Sequence, residues 1–141
     1  MSYTNRWTEV TNPLAELHPA AVVAASYTSY VSLANYHRAV VVMHMGAMAG
    51  TQDLALYQAT STAGAGSKAI TGKSITQLTA TDDNSRVAIE LQTEELDVDG
   101  GFDCIAALQT PGGTNILELT IYGIIPRFPP VPTTNWDEVI D

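Results

Sequence analysis

The feature of this chain that most constrains its fold is a hydrophobic alternation with a period of two residues. In "RVAIELQ" (residues 86–92) apolar side chains alternate with Arg86, Glu90 and Gln92, and "NILELTIYGII" (115–125) is a second alternating run. Successive side chains of a strand point to opposite faces, so both runs predict strands that bury one face. The residues expected to face inward are Val87, Ile89, Leu91, Leu117, Leu119, Ile121 and Ile125.

Other runs are rich in β-branched residues without a clean alternation. "RAVVVMHM" (38–45) is apolar on both faces, which predicts a central strand. "KAITGKSITQL" (68–78) is interrupted by Gly72, where we expect a bend or bulge. In "GFDCIAALQ" (101–109) we expect one apolar face made of Phe102, Cys104, Ala106 and Leu108.

Turn-forming segments such as "GAMAGTQ", "STAGAGS", "DVDGG" and "TPGGTN" separate these runs. Seven or eight strands therefore recur at short intervals, without a convincing long amphipathic helix. This spacing is typical of an all-β sandwich or barrel. We expect an antiparallel β-sandwich over residues 22–125, with extended arms at both ends.

The two arms differ from the middle of the chain. In the N-terminal arm, residues 1–21, Asn12 could cap one helical turn that begins at Pro13. The C-terminal arm, residues 126–141, holds four of the seven prolines and should be extended. Its apolar side chains need cover, either from a partner, as in extended-peptide recognition, or from its own sandwich. The candidate partner-binding residues are Trp7, Arg127, Phe128, Val131, Trp136 and Ile140.

The acidic stretch "TEELDVDGGFDC" (93–104) could be a calcium loop, a catalytic acid cluster or a turn. A calcium loop of EF-hand type would need an oxygen ligand at Gly101 and a closing glutamate where Leu108 stands. We therefore interpret Asp97, Asp99, Gly100 and Gly101 as a structural turn between two strands, with no metal.

Composition excludes several classes of function. The net charge is -9, and the six Lys and Arg residues are scattered, which disfavours binding to nucleic acid or to an anionic membrane. Only 15% of the residues are charged, which suggests a surface covered by partners. The single cysteine indicates folding in a reducing cytoplasm. The sequence shows no catalytic motif and no metal-ligand spacing, so we expect neither enzymatic activity nor a cofactor.

The stretch "YHRAVVVMHMGAMAGTQDLALYQATSTAGAGSKAITGKSITQLT", with "VAIELQTEELDVDGGFDCIAALQT" after it, resembles small structural proteins of tailed double-stranded DNA bacteriophages. The resemblance covers roughly residues 20–125 and lies in overall pattern, since it carries no catalytic motif. It implies a capsid cement (decoration) protein with a β-sandwich or jelly-roll fold.

The resemblance also implies partners and a location. Such a protein is made in the host cytoplasm, forms homodimers or homotrimers, and binds the major capsid protein on the outer capsid surface of the virion. One alternative is a head fibre, spike or tail-associated protein. A second is a carbohydrate or host-surface binding module, which exposed aromatic residues clustered on one sheet face would favour.

Overall fold

A computed structural model describes residues 4–140 of the chain and consists almost entirely of β-strands. The elements are α1 (Trp7–Val10), β1 (Thr11–Val22), β2 (Ser26–Tyr27), β3 (Val31–Ser32), β4 (Tyr36–Met48), β5 (Gln52–Ala59), β6 (Lys68–Ser74), β7 (Arg86–Gln92), β8 (Cys104–Pro111) and β9 (Asn115–Pro126). A short 3₁₀ turn (Thr93–Glu95) follows β7.

The strands form two antiparallel sheets packed face to face. The first sheet has the order β1-β9-β4-β7, and the second has the order β2-β8-β5-β6, with β3 also paired to β8. Because β2 and β3 lie along the same partner, they count as one interrupted strand, which gives the eight-stranded order of a jelly roll. The predicted all-β, antiparallel, jelly-roll-like sandwich is confirmed.

The core lies between the sheets and follows the predicted alternation. Ile89 and Leu91 of β7 and Leu117, Leu119 and Ile121 of β9 are all buried in it. β4 contributes alternate residues, namely Ala39, Val41, Met43 and Met45. Burying each large aliphatic side chain contributes about 1.5–3 kcal/mol, so these three strands provide much of the stability.

Two predictions about individual strands are confirmed. β4 lies between β9 and β7, which makes it a central strand. Gly72 has a φ of 78°, and the pairing of β5 with β6 shifts between Ala55 and Tyr57. Glycine adopts this left-handed conformation without the steric cost of a Cβ atom, so β6 bends there.

One inward-facing prediction is wrong, and the structure shows which of the two apolar faces of β8 points into the core. Ile125 does not continue the inner face of β9, because it has a φ of 51° and is 46% exposed. In β8 the core side chains are Ile105 and Ala107, whereas Cys104 and Leu108 lie on the opposite face. Both faces of β8 are apolar in sequence, so alternation alone could not show which one points inward.

The N-terminal boundary also differs from the expectation. Residues 11–22 form β1, which pairs with β9 along its length, so the sandwich begins at Thr11 and not at residue 22. Asn12 and Pro13 lie in this strand, and the helical turn comes earlier, at Trp7–Val10. Prolines are tolerated because β1 is an edge strand whose pairing shifts near Pro13 and Pro19.

The strand directions place the connections at two opposite ends. We call the end where β1 begins and β9 finishes the arm end; it also holds residues 33–35, 60–67 and 93–103. The opposite end, with the tight connections 49–51 and 112–114, is the hairpin end. β1 has 12 residues, which separates the two ends by about 35 Å.

Candidate interaction surfaces at the arm end

The C-terminal segment folds back along its own sandwich, which answers one question that the sequence leaves open. The backbone N–H of Arg127 donates to the carbonyl of Asn35 (2.8 Å), and its Nε donates to the carbonyl of Ala34 (3.0 Å). Further along, the N–H of Val131 donates to the carbonyl of Glu9 (2.9 Å). The first two bonds hold the start of the segment against the connection before β4, and the third holds it against the N-terminal helical turn.

Aromatic rings join the two terminal segments. The ring of Trp7 lies 5.4 Å from that of Trp136 and 6.1 Å from that of Tyr122, in tilted arrangements that favour ring-edge contacts. Nearby, Asn135 Nδ2 donates to the carbonyl of Pro13 (2.9 Å). Within the described residues, the buried Nε1 of Trp136 has no hydrogen-bond partner, so this docking leaves one polar group unsatisfied.

The six predicted partner-binding residues divide by exposure. Val131 is buried and Trp136 is half-buried, so they serve the attachment of the arm to its own sandwich. Trp7, Phe128 and Ile140 are 58%, 77% and 83% exposed. Large apolar side chains of this exposure gain most from a partner, because burial removes their surface from water.

The acidic stretch forms a compact turn. Asp97 Oδ1 accepts a hydrogen bond from the N–H of Gly100 (3.0 Å), and the carbonyl of Asp97 accepts one from the N–H of Phe102 (3.0 Å). Gly101 has a φ of 79°, which a residue with a side chain would adopt only at a cost. Asp99, between Asp97 and Gly101 in the sequence, is exposed. The turn belongs to a crossing from the first sheet to the second, and not to a hairpin.

Lys68 holds this turn against the second sheet. Its Nζ lies 2.5 Å from Asp97 Oδ2 and 4.2 Å from the centre of the Phe102 ring. The hydrogen bond from Lys68, assisted by the N–H of Gly100, lowers the pKa of Asp97 below its usual value. The carboxylate of Asp97 is therefore occupied by neighbours within the chain.

A cleft of about 470 Å³ at the arm end joins the turn to the base of the C-terminal segment. Gly101 and Arg127, both singled out from sequence, line this cleft. The remaining walls are mainly apolar and include Leu33, Leu96, Val98 and Phe102. The fold thus brings two separate predicted groups together on one surface.

A cluster of three tyrosines was not predicted. Tyr27 meets Tyr57 edge-on at 5.3 Å and stacks on Tyr30 at 6.2 Å. Burial, followed by the neighbouring phenols of Tyr57 and Tyr30, raises the pKa of Tyr27. Tyr57 is remote in sequence from Tyr27 and Tyr30, so only the pairing of β2 and β5 with β8 could show that it meets them.

A polar row on the outer face of the first sheet was also missed. His44 on β4 lies directly opposite Glu118 on β9 and Arg86 on β7. His44 Nδ1 is 2.7 Å from Glu118 Oε1, and Arg86 Nε donates to His44 Nε2. Both ring nitrogens of His44 therefore have hydrogen-bond partners on the outer face of the sheet.

The one cysteine of the chain, Cys104, is buried and free. Burial raises the pKa of the Cys104 thiol to about 11, assisted by Asp103, which makes it a weak nucleophile. Residues 4–140 contain no group of three or more His, Cys, Asp or Glu side chains placed to share a metal ion. No helix in the described part of the chain has the length and apolar character that a membrane span requires.

Comparison with known proteins adds little to this geometry. No protein-family model matches the chain, and no curated protein matches it. A chain in the cryo-EM atomic structure of broad bean stain virus is similar over 100% of this chain and 98% of its own length, with 10% identity and a TM-score of 0.42. A similarity this low carries no conclusion about function.

Proposed function

We propose that this chain is a virion structural protein without enzymatic activity. More specifically, we propose a capsid cement protein that binds the outer surface of a bacteriophage head, contacts the major capsid protein and stabilises contacts between capsomers. The resemblance of residues 20–125 to phage structural proteins supports a role in the virion. The jelly roll supports the same role, because viral capsid proteins commonly use this fold. A fibre, spike or tail component remains the alternative.

The observation that carries the proposal is the exposed apolar surface of the two terminal segments. Phe128 and Ile140 project from a C-terminal segment that is tied down through Val131 and Trp136, and Trp7 stays 58% exposed although its ring contacts that of Trp136. The attachment removes part of the entropy that an extended arm would lose on binding. Aromatic side chains presented in this way are frequent hot spots of protein interfaces.

The double variant Phe128→Ser, Ile140→Ser tests the proposal. Both side chains are mainly exposed, so the melting temperature should stay close to that of the original protein. Binding to heads assembled without this protein should weaken by about tenfold or more, because two hot spots are lost. Cosedimentation of the protein with such heads measures the affinity.

Val23→Ser provides the matched control. Val23 is 74% exposed but follows β1 at the hairpin end, about 35 Å from the arm end. This variant should bind heads as tightly as the original protein. Equal binding by the double variant and the control would refute the assignment of capsid contact to the arm end.

The tyrosine cluster favours a second candidate function, a carbohydrate-binding module. Tyr27 is 45% exposed and packs against two further rings, which gives a platform on which a sugar ring could stack. A glycan array, followed by Tyr27→Ala, distinguishes the candidates. Saturable sugar binding that Tyr27→Ala removes, together with unchanged head binding in the double variant, would favour this second function.

A further inference from the structure

The four edges of the two sheets differ in how they are protected against pairing with another chain. The β1 edge contains Pro13 and Pro19 with two shifts in pairing, and the β6 edge bends at Gly72. On the remaining edge of the second sheet, β2 and β3 have only two residues each. Prolines, bulges and short strands are common devices against edge-to-edge association.

The β7 edge has none of these devices. All seven residues of Arg86–Gln92 pair with β4 in one uninterrupted register, from Arg38 opposite Gln92 to His44 opposite Arg86. A regular strand of this length presents a row of backbone donors and acceptors that another strand can bind. The composition of β7 then decides which strand fits.

The direction of the backbone groups along β7 follows from two hydrogen bonds. The carbonyl of Ser85, just before the strand, accepts a bond from Met45 and therefore faces β4. The carbonyl of Glu90 accepts a bond from Lys73 Nζ (2.8 Å), on the side away from β4. Backbone groups alternate sides along a strand, so those of Arg86, Ala88 and Glu90 point to the open edge.

These three residues are complementary to themselves in the antiparallel direction. When two β7 strands pair about a two-fold axis at Ala88, Arg86 of each copy lies opposite Glu90 of the other. The two Ala88 residues meet at the axis, where their small side chains avoid a clash. Opposite charges directly across an antiparallel pair are stabilising, and this register forms two such pairs.

The polar row on the first sheet continues through this arrangement. Glu118, His44 and Arg86 lie opposite one another on three neighbouring strands, and the bond from Arg86 to His44 holds the guanidinium on the outer face at the edge. Glu90 of a second copy would be the next residue of the same row. The guanidinium has five N–H donors, so its remaining donors can reach that carboxylate.

We propose that β7 is the self-association site of this protein, and that two copies pair along it as an antiparallel dimer with one continuous eight-stranded sheet. It specifies the self-association that the resemblance implies, and it does not depend on the capsid contact proposed above. In this interface the same surface is used by both copies, with Arg86 of each facing Glu90 of the other. Such an interface forms a closed two-fold dimer and not a trimer. The outer edges of the joined sheet are then the two proline-bearing β1 strands.

Lys73 already binds a backbone group at this edge, the carbonyl of Glu90. It also lies 2.9 Å from Glu95 Oε1, so it keeps an ion pair when it shares the Glu90 carbonyl. A carbonyl oxygen has two lone pairs and accepts a bond from Lys73 and one from the second copy at the same time. Lys73 is therefore compatible with the dimer.

Charge reversal provides the test, in the isolated protein at low ionic strength, where surface charge pairs are least screened. Arg86→Glu places four carboxylates at the dimer contact, and Glu90→Arg places four cations there. Sedimentation velocity should show a dimer for the original protein and a dissociation constant raised by at least about tenfold in each variant. An equal mixture of the two variants should form a heterodimer, since every facing pair is then of opposite charge.

The matched control is Glu16→Arg, an equal change of charge on β1 at the far side of the first sheet. Because the chain carries a net charge of -9, this change reduces general repulsion and should leave the dimer intact or strengthen it. A monomeric original protein, undisturbed dimers in both variants, or a mixture that stays monomeric would each overturn the proposal. The measurement uses no capsids, so its failure would leave head binding as a separate question.

Discussion

At the scale of single residues, buried amides organise the hairpin end. Asn115 Nδ2 donates to the side-chain oxygen of Gln52 (3.0 Å), and Gln52 Nε2 donates to that of Gln109 (3.0 Å). Asn115 Oδ1 also accepts the N–H groups of Ala49 and Gly50. Because each amide is satisfied, three polar residues can be fully buried without the cost of unpaired groups.

Asn115→Ala should destabilise the protein by about 3 kcal/mol or more, because it leaves several buried donors and acceptors unpaired. Urea unfolding measures the free energy. Thr114→Ala is the control, since Thr114 is exposed and its contact with Ala49 uses only the backbone carbonyl. A loss below about 0.5 kcal/mol for Asn115→Ala, within the range of surface substitutions, would mean that water replaces these bonds.

The sequence predicts which side chains of a strand point into the core when one face of the strand is polar, but not when both faces are apolar. Leu117, Leu119 and Ile121 alternate with residues that include Glu118, and they lie in the core as predicted. β8 has two apolar faces, and its inward face even carries Gln109. That amide is placed inward by partners on β5 and β2, which no local pattern reveals.

At the scale of elements, β1 shows that prolines mark strand edges as well as loops. The segment "TNPLAELHPAAV" resembles a helix start because Asn and Pro often begin helices. In the fold it pairs with β9, and the buried Nδ2 of Asn12 donates to Tyr36 Oη (2.8 Å). The sequence of this segment is compatible with a helical turn and with a strand. It forms a strand because it pairs with the edge of β9.

Removal of residues 1–21 should therefore unfold the protein, although the sequence predicts an arm outside the sandwich there. The deletion exposes one side of β9 and removes the buried residues Thr11 and Asn12. Circular dichroism during thermal unfolding measures the loss of the cooperative transition. A chain without residues 1–10 serves as the control and should stay folded. A cooperative transition in the protein that lacks residues 1–21 would show that β1 is an accessory strand.

At the scale of the whole molecule, the jelly roll gathers residues that are remote in sequence. The turn with Gly101 and Arg127 line one cleft at the arm end, because every second connection returns there. Strand count and all-β character are predictable from sequence, since both depend on local alternation and turns. The contact between these sites cannot be predicted in this way, because it depends on the order of the strands in the sheets. The position of β7 at a sheet edge depends on the same order.

The most direct test of the proposed function is the number of copies of this protein in virions purified from an infected host. Quantitative mass spectrometry gives its molar ratio to the major capsid protein. A cement protein that covers the outer head surface should be present in a fixed ratio and in a copy number comparable to that of the capsid protein. Absence from DNA-filled heads would contradict the virion assignment, and only a few copies per virion would contradict the cement role in favour of a fibre, spike or tail component.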